Sequence, residues 1–223
     1  MAGLREAKGI SMNPKTIVFA LVTLLYEAAL AQDVLNLPPP RTDGGRPLLQ
    51  VLKDRRSSRE FSTNALPTQI ISDLLWAAFG INRPDNAHRT APSARNWQEI
   101  DIYVATTESL FVYDAKANTL KTVLNEDVRA LCGVQDYVKD APLNLVYVAD
   151  YSRMGEGEGN NDDKRAMANA DTGFISENVY LFCASEGLAT VIRGSIDRPT
   201  LAKKMGLSSS QNIILSQTVG FPK

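Results

Sequence analysis

The chain has 223 residues, 44% of them apolar, and a formal net charge of -1. That length suits a single domain, and the apolar share is enough for one core. A near-neutral chain lacks the strongly basic face of a general nucleic-acid binder. Two cysteines and one histidine leave little material for a His-based triad or a metal cluster.

The N-terminus has the layout of an export leader. Met12-Asn13-Pro14-Lys15 precedes an apolar stretch over residues 17–25, and Ala29-Leu30-Ala31 supplies small residues before Gln32. Met12 then reads as an alternative start. The stretch is too short to span a bilayer as a mature helix. An amphipathic or buried N-terminal helix is the competing reading. The domain plan is a leader over residues 1–31, a Pro/Gly-rich arm over 32–45 and a folded domain over 46–223. Cleavage would leave roughly 190 residues, and the expected location is the bacterial periplasm, or the cytoplasm if the leader does not function.

Pro38-Pro39-Pro40 makes the arm semi-rigid. Pro47 suits the first turn of a helix whose apolar face is Leu48, Leu49, Val51 and Leu52. The pentad Arg55-Arg56-Ser57-Ser58-Arg59 follows. In extended backbone, alternate side chains point the same way, so Arg55, Ser57 and Arg59 could converge on one anion. Two guanidinium forks and a hydroxyl suit a phosphate. A second account fits Lys53, Arg55 and Arg56 equally well, as cations complementing a helix C-terminus.

Pro67-Thr68-Gln69 opens the next helix. Ile70, Ile71, Leu74, Leu75, Ala78 and Phe79 recur at helical spacing, and Gly80 closes it. Residues 81–98 are polar and irregular, the mark of a functional or mobile loop. Trp76 and Trp97 read as packing residues, and Arg89 and Arg95 carry no assigned role. Strands are predicted over 99–106, 110–114 and 119–124, the last two joined by a break at Ala115-Lys116-Ala117-Asn118. Helix is predicted over 126–139. The Val- and Leu-rich run 143–149 reads as a buried central strand.

The glycines of 152–163 alternate with acids, so they form an exposed loop rather than a phosphate cradle. A long helix follows over 163–186, with small residues that allow close helix approach and Gly187 as its cap. Cys183 lies in its apolar pattern, where a buried thiol is common. Cys132 and Cys183 could pair in an exported protein. Asp197-Arg198-Pro199 starts a last helix ending at Gly206, and 213–219 forms the last strand. There is no internal repeat. The mixture predicts an α+β domain on a mostly antiparallel sheet flanked by helices.

At this point the chain resembles the nitroreductase family of flavoproteins. The segment Arg55–Phe61 resembles the family's R-x-S-x-R-x-F opening, and Pro67–Ala78 resembles the helix that follows it. His88–Gln98 resembles a second flavin loop, close to the SagB-type dehydrogenase branch. Gly187–Gly194 and Val219–Pro222 resemble the third flavin segment and the final strand. Order and spacing agree from about residue 48 to 222.

The resemblance implies an FMN-dependent oxidoreductase, a homodimer with flavin at the subunit interface. NAD(P)H or another donor would reduce it, and a small nitro compound or quinone would accept. It implies that Arg55, Arg56, Ser57 and Arg59 hold the phosphate and ribityl chain. Pro92, Ser93 and Ala94 would line the flavin, and Asn96 would hydrogen-bond toward its ring. Arg193 and Gly194 would lie beside its reactive edge, and Lys223 would substitute for a basic tail. Arg193 stands where many members carry Glu. No catalytic side chain and no metal are implied, since the flavin carries the chemistry. A non-catalytic exported flavin or aromatic-anion binder, and a SagB-like heterocycle dehydrogenase, are the other readings.

Overall fold

The computed structural model describes residues 33–155 and 160–223. The leader lies outside the described residues. Residues 34–223 form one compact unit. Its centre is a seven-stranded sheet in the order β1-β6-β5-β4-β7-β9-β8. The strands are β1 (Val34–Asn36), β4 (Ile100–Ala105), β5 (Leu110–Asp114), β6 (Thr119–Leu124), β7 (Leu143–Asp150), β8 (Ala189–Arg193) and β9 (Gln211–Gly220). Every pairing is antiparallel. This is the expected α+β architecture on an antiparallel sheet flanked by helices.

β7 is central and buried on both faces, which explains its unbroken apolar run. Leu143, Leu145, Tyr147 and Ala149 point into one core, and Val146 and Val148 into another. That is the period-two alternation of a pleated strand. The first core lies beneath helices α2 (Thr68–Phe79) and α4 (Asn161–Glu186). The second is closed by the short helix α3 (Tyr137–Asp140) and by α5 (Arg198–Met205). Cys132 and Cys183 are free, buried thiols, one in each core, so the sheet separates them.

α4 begins with a reciprocal capping box. The Asn160 side chain accepts from the Asp162 and Asp163 N–H groups, and Asp163 accepts from the Asn160 N–H. It ends at Gly187, whose φ of 72° a side chain would disfavour, and the Leu188 N–H closes back on the Cys183 carbonyl.

Four stretches differ from the sequence expectation. Residues 126–139 form a 3-10 turn over Arg129–Leu131 and then only α3. Gly133 interrupts the helix, and a Cβ there would lie 2.4 Å from the Arg193 Nε. Within 81–98, β2 (Ile81–Arg83) and β3 (His88–Arg89) form a small hairpin. It is pinned by Arg89, which donates to the Phe79 carbonyl and to Gln98. β8, read in the sequence only as a flavin segment, is an edge strand of the main sheet.

The arm contributes the fourth difference, because β1 pairs with β6. Beyond β1 the arm runs across α2. Ser72 donates to the Pro38 carbonyl at 2.6 Å, and buried Asp73 accepts from the Arg41 N–H and guanidinium. Helix α1 (Leu48–Asp54) forms after Pro47, yet only its Val51 is buried. Leu48, Leu49 and Leu52 are 60%, 79% and 48% exposed, so the expected apolar face stays uncovered by this chain.

Candidate functional site

α1 ends at Asp54, and Arg55 turns the backbone extended with φ -55° and ψ 122°. The pentad then runs along the outer edge of β8. The Ser58 N–H donates to the Thr190 carbonyl at 2.9 Å. Further on, the Ser62 N–H donates to the Phe221 carbonyl, and Phe61 bridges Pro222. The chain's tail is thereby held beside the pentad, with Lys223 exposed at its end.

Tyr180, on α4, joins these segments. Its hydroxyl accepts the Ile192 N–H at 3.1 Å and lies 2.8 Å from the Ser57 hydroxyl. The Arg55 guanidinium stands over the Tyr180 ring, 5.2 Å from its centroid, a cation–π arrangement. The edge of β8 is thus capped by a serine, a tyrosine and a backbone strand rather than left open.

A cavity of about 440 Å³ opens here, in the size range of small-ligand sites. Arg46, Lys53, Arg55, Arg56 and Ser58 line it, with Thr190 and Pro222. Its one carboxylate, Asp54, is engaged by Arg46. The wall therefore carries a surplus of guanidinium and ammonium donors. Within the pentad, Arg55, Arg56 and Ser58 line this cavity, Ser57 is bonded to Tyr180, which also lines it, and Arg59 is exposed. Such a donor set fits a phosphate monoester in chemistry and charge.

The second loop lies elsewhere on α4. The Ala94 N–H donates to Asp171 at 2.8 Å, and the Ser93 hydroxyl accepts from the Gln98 N–H at 2.8 Å. Ser93 also donates to Glu99. Arg95, Asn96 and Gln98 all have positive φ, at 52°, 57° and 50°. Non-glycine residues there cost about 1 kcal/mol or more each, so surrounding bonds must hold the loop. Pro92 and Asn96 are exposed, while Ser93 and Ala94 are half-buried. Glu99 and Asp171 are both buried beneath the loop. Burial pushes the Glu99 carboxyl up to about 7, and the neighbouring Asp171 charge pushes the same way.

The Arg193 side chain is turned inward. It is 7% exposed, and its guanidinium donates to Asn144 and Thr218 and faces the Tyr137 ring. The physical reason is alternation. The Thr190 carbonyl and Ile192 N–H face outward from β8, so the intervening backbone groups face β9, and the odd-numbered side chains share one buried face, where Ala189 and Val191 pack with Phe61 and Ala141. The resemblance set Arg193 beside the flavin's reactive edge, and its guanidinium is turned away from the surface. Gly194, next in line, is exposed.

Asp171 and Tyr180 are nine residues apart, about 13 Å along the helix and half a turn around it. The loop at 92–98 and the pentad consequently sit on opposite rims of α4's buried face. Helix α4 thus separates the two segments that the sequence reading placed around one ligand. Sequence reasoning missed Tyr180, Glu99 and Asp171, whose partners are distant in the chain and leave no local pattern.

The nitroreductase family model matches residues 52–221. A nitroreductase-like protein of Methanocaldococcus jannaschii is 30% identical over 158 residues, covering 66% of this chain and 78% of its own. The crystal structure of a nitroreductase-like protein from Ralstonia eutropha is 41% identical with a TM-score of 0.81, covering 87% of this chain and 91% of that one. The NADPH:FMN oxidoreductase of Vibrio harveyi complexed with NAD+ shares the fold at 20% identity and a TM-score of 0.60, covering 79% and 69%. The large antiparallel sheet and its flanking helices are those of the nitroreductase-like fold. The chain belongs to the nitroreductase family.

Proposed function

We propose that the chain is an FMN-dependent oxidoreductase. It would pass electrons from NAD(P)H or another donor to a small organic acceptor, of nitro or quinone type, by a ping-pong exchange. The cationic cavity at the end of α1 carries this reading. Arg55, Arg56 and the Ser58 side of the pentad would hold the FMN phosphate, with Ser57, Arg59 and Lys223 beside them. FMN, when bound, supplies the hydride chemistry, and the chain supplies position and electrostatics.

The ring would lie toward Gly194. There the glycine, with no side chain, allows close approach of backbone to ligand. A homodimer would complete the site. Leu48, Leu49 and Leu52 of α1 and Met167 and Phe174 of α4 are exposed apolar side chains, the material of a subunit interface. A partner's loop 92–98, carrying Pro92, Ser93, Ala94 and Asn96, could then reach the pentad that its own protomer's loop does not meet.

FMN titration of the purified chain tests the reading. Bound flavin absorbance, a dimer on a sizing column and NAD(P)H oxidation stimulated by a nitroaromatic support it. A chain that binds no FMN at micromolar concentration overturns it. Bound flavin without turnover would favour the non-catalytic binder, and oxidation of an azoline-containing peptide would favour a SagB-like dehydrogenase. No helix among the described residues is long and apolar enough to cross a membrane. Export through residues 1–31 is part of the proposal, and a mature N-terminus at Gln32 in chain recovered from cells would support it.

A further inference from the structure

Tyr180 is almost fully buried, at 6% exposure, yet its hydroxyl lies in a polar junction rather than in the core. The bonding there has a definite direction. The Ile192 N–H can only donate, so it occupies a lone pair on the Tyr180 oxygen. The tyrosine has one proton of its own, and the Ser57 hydroxyl lies 2.8 Å away. A serine that meets an anion must turn its proton toward that anion, which accepts and never donates in its ionised form. Ser57 must then accept from Tyr180. The chain of donors therefore runs Ile192 N–H to Tyr180, Tyr180 O–H to Ser57, and Ser57 O–H outward.

We propose that Tyr180 is a positioning residue for phosphate binding, orienting the Ser57 hydroxyl as a donor to a phosphate monoester. This rests on the FMN reading above. Three observations converge on it. Ser57 is exposed on one side and held by Tyr180 on the other. The Tyr180 ring carries the Arg55 guanidinium on its face, so one side chain steadies two members of the clamp. The Ile192 bond ties the tyrosine to β8, the strand that also holds Ser58 through Thr190. Polarised hydrogen-bond chains of this kind strengthen their terminal donor.

The inference separates the phosphate from the rest of the flavin. Tyr180 acts through Ser57, so its hydroxyl should matter for FMN and not for riboflavin, which lacks the phosphate. Tyr180→Phe keeps the ring, its packing and the cation–π face while removing the hydroxyl. Because the Ile192 N–H loses its acceptor, thermal stability is measured alongside, and the comparison between the two ligands is made on the same folded protein.

The experiment titrates FMN and riboflavin into wild type, Tyr180→Phe, Ser57→Ala and the double variant. Tyr180→Phe should weaken FMN about three- to tenfold, the scale of one neutral hydrogen bond, and leave riboflavin unchanged. The double variant should be no weaker for FMN than Ser57→Ala alone, since the tyrosine acts through the serine. Equal loss for FMN and riboflavin, or additive losses in the double variant, overturns the proposal and leaves the FMN reading standing. An unchanged FMN affinity in Tyr180→Phe does the same. Failure of the wild type itself to bind FMN overturns both.

Discussion

Glu99 and Asp171 are two neighbouring carboxyl groups buried beneath the loop 92–98, which both of them hold: Glu99 accepts from the Ser93 hydroxyl and Asp171 from the Ala94 N–H. Arg153, which donates to the neighbouring Gln98 carbonyl, is paired with Asp101 and lies beside Asp150. One Glu99 oxygen still lacks a partner among the described residues.

This arrangement makes stability pH-dependent. Glu99 is raised from 4.5 to about 7, so the folded state holds that proton more tightly than the unfolded one. Its contribution is complete below about pH 4.5 and is lost as pH rises through about 7. Glu99→Gln keeps the hydrogen bonds without the charge. Urea melts at pH 5 and pH 8 should show the variant on the order of 1–3 kcal/mol more stable than wild type at pH 8 and similar at pH 5. Parallel pH profiles would count against the pair.

Gly133→Ala should lower stability by about 1–3 kcal/mol, because the new Cβ meets the buried Arg193 guanidinium. That guanidinium is fixed by Asn144 and Thr218 and has little room to move. Thermal melts of the two proteins decide it. An unchanged melting temperature would mean that Arg193 is free to shift.

Arg59→Ala separates binding from folding. Arg59 is exposed and bonds to no other described residue, so the melting temperature should be unchanged while FMN affinity falls tenfold or more. Unchanged flavin affinity would reduce Arg59 to a solvated surface charge.

Asp73→Ala should release the arm from α2. Asp73 is 3% exposed and accepts from Arg41 and Gln69, so its loss frees the segment around Gly44 and Gly45. Limited proteolysis should show faster cleavage near those glycines, with a stability loss of about 1–3 kcal/mol. An unchanged cleavage rate would place the arm's hold in Ser72 and Asn118, which both donate to Pro38.

Much of the fold was legible in the sequence because it follows from local pattern. Apolar spacing marked α2, the run 143–149 marked the central strand, and Asp163 to Gly187 bounded nearly all of α4. The pentad's cationic character was legible from its residue types alone, and the cavity it lines was not. What the sequence did not decide was partnership across distance. Ser57 and Tyr180 are 123 positions apart, and Glu99 and Asp171 sit on different elements. Arg193 shows the limit most clearly. The family resemblance set it beside the flavin's edge, and strand alternation at β8 turned its charge inward. Periodicity reveals which face of an element is apolar. Only the packed sheet determines which polar groups from remote segments meet on the other side.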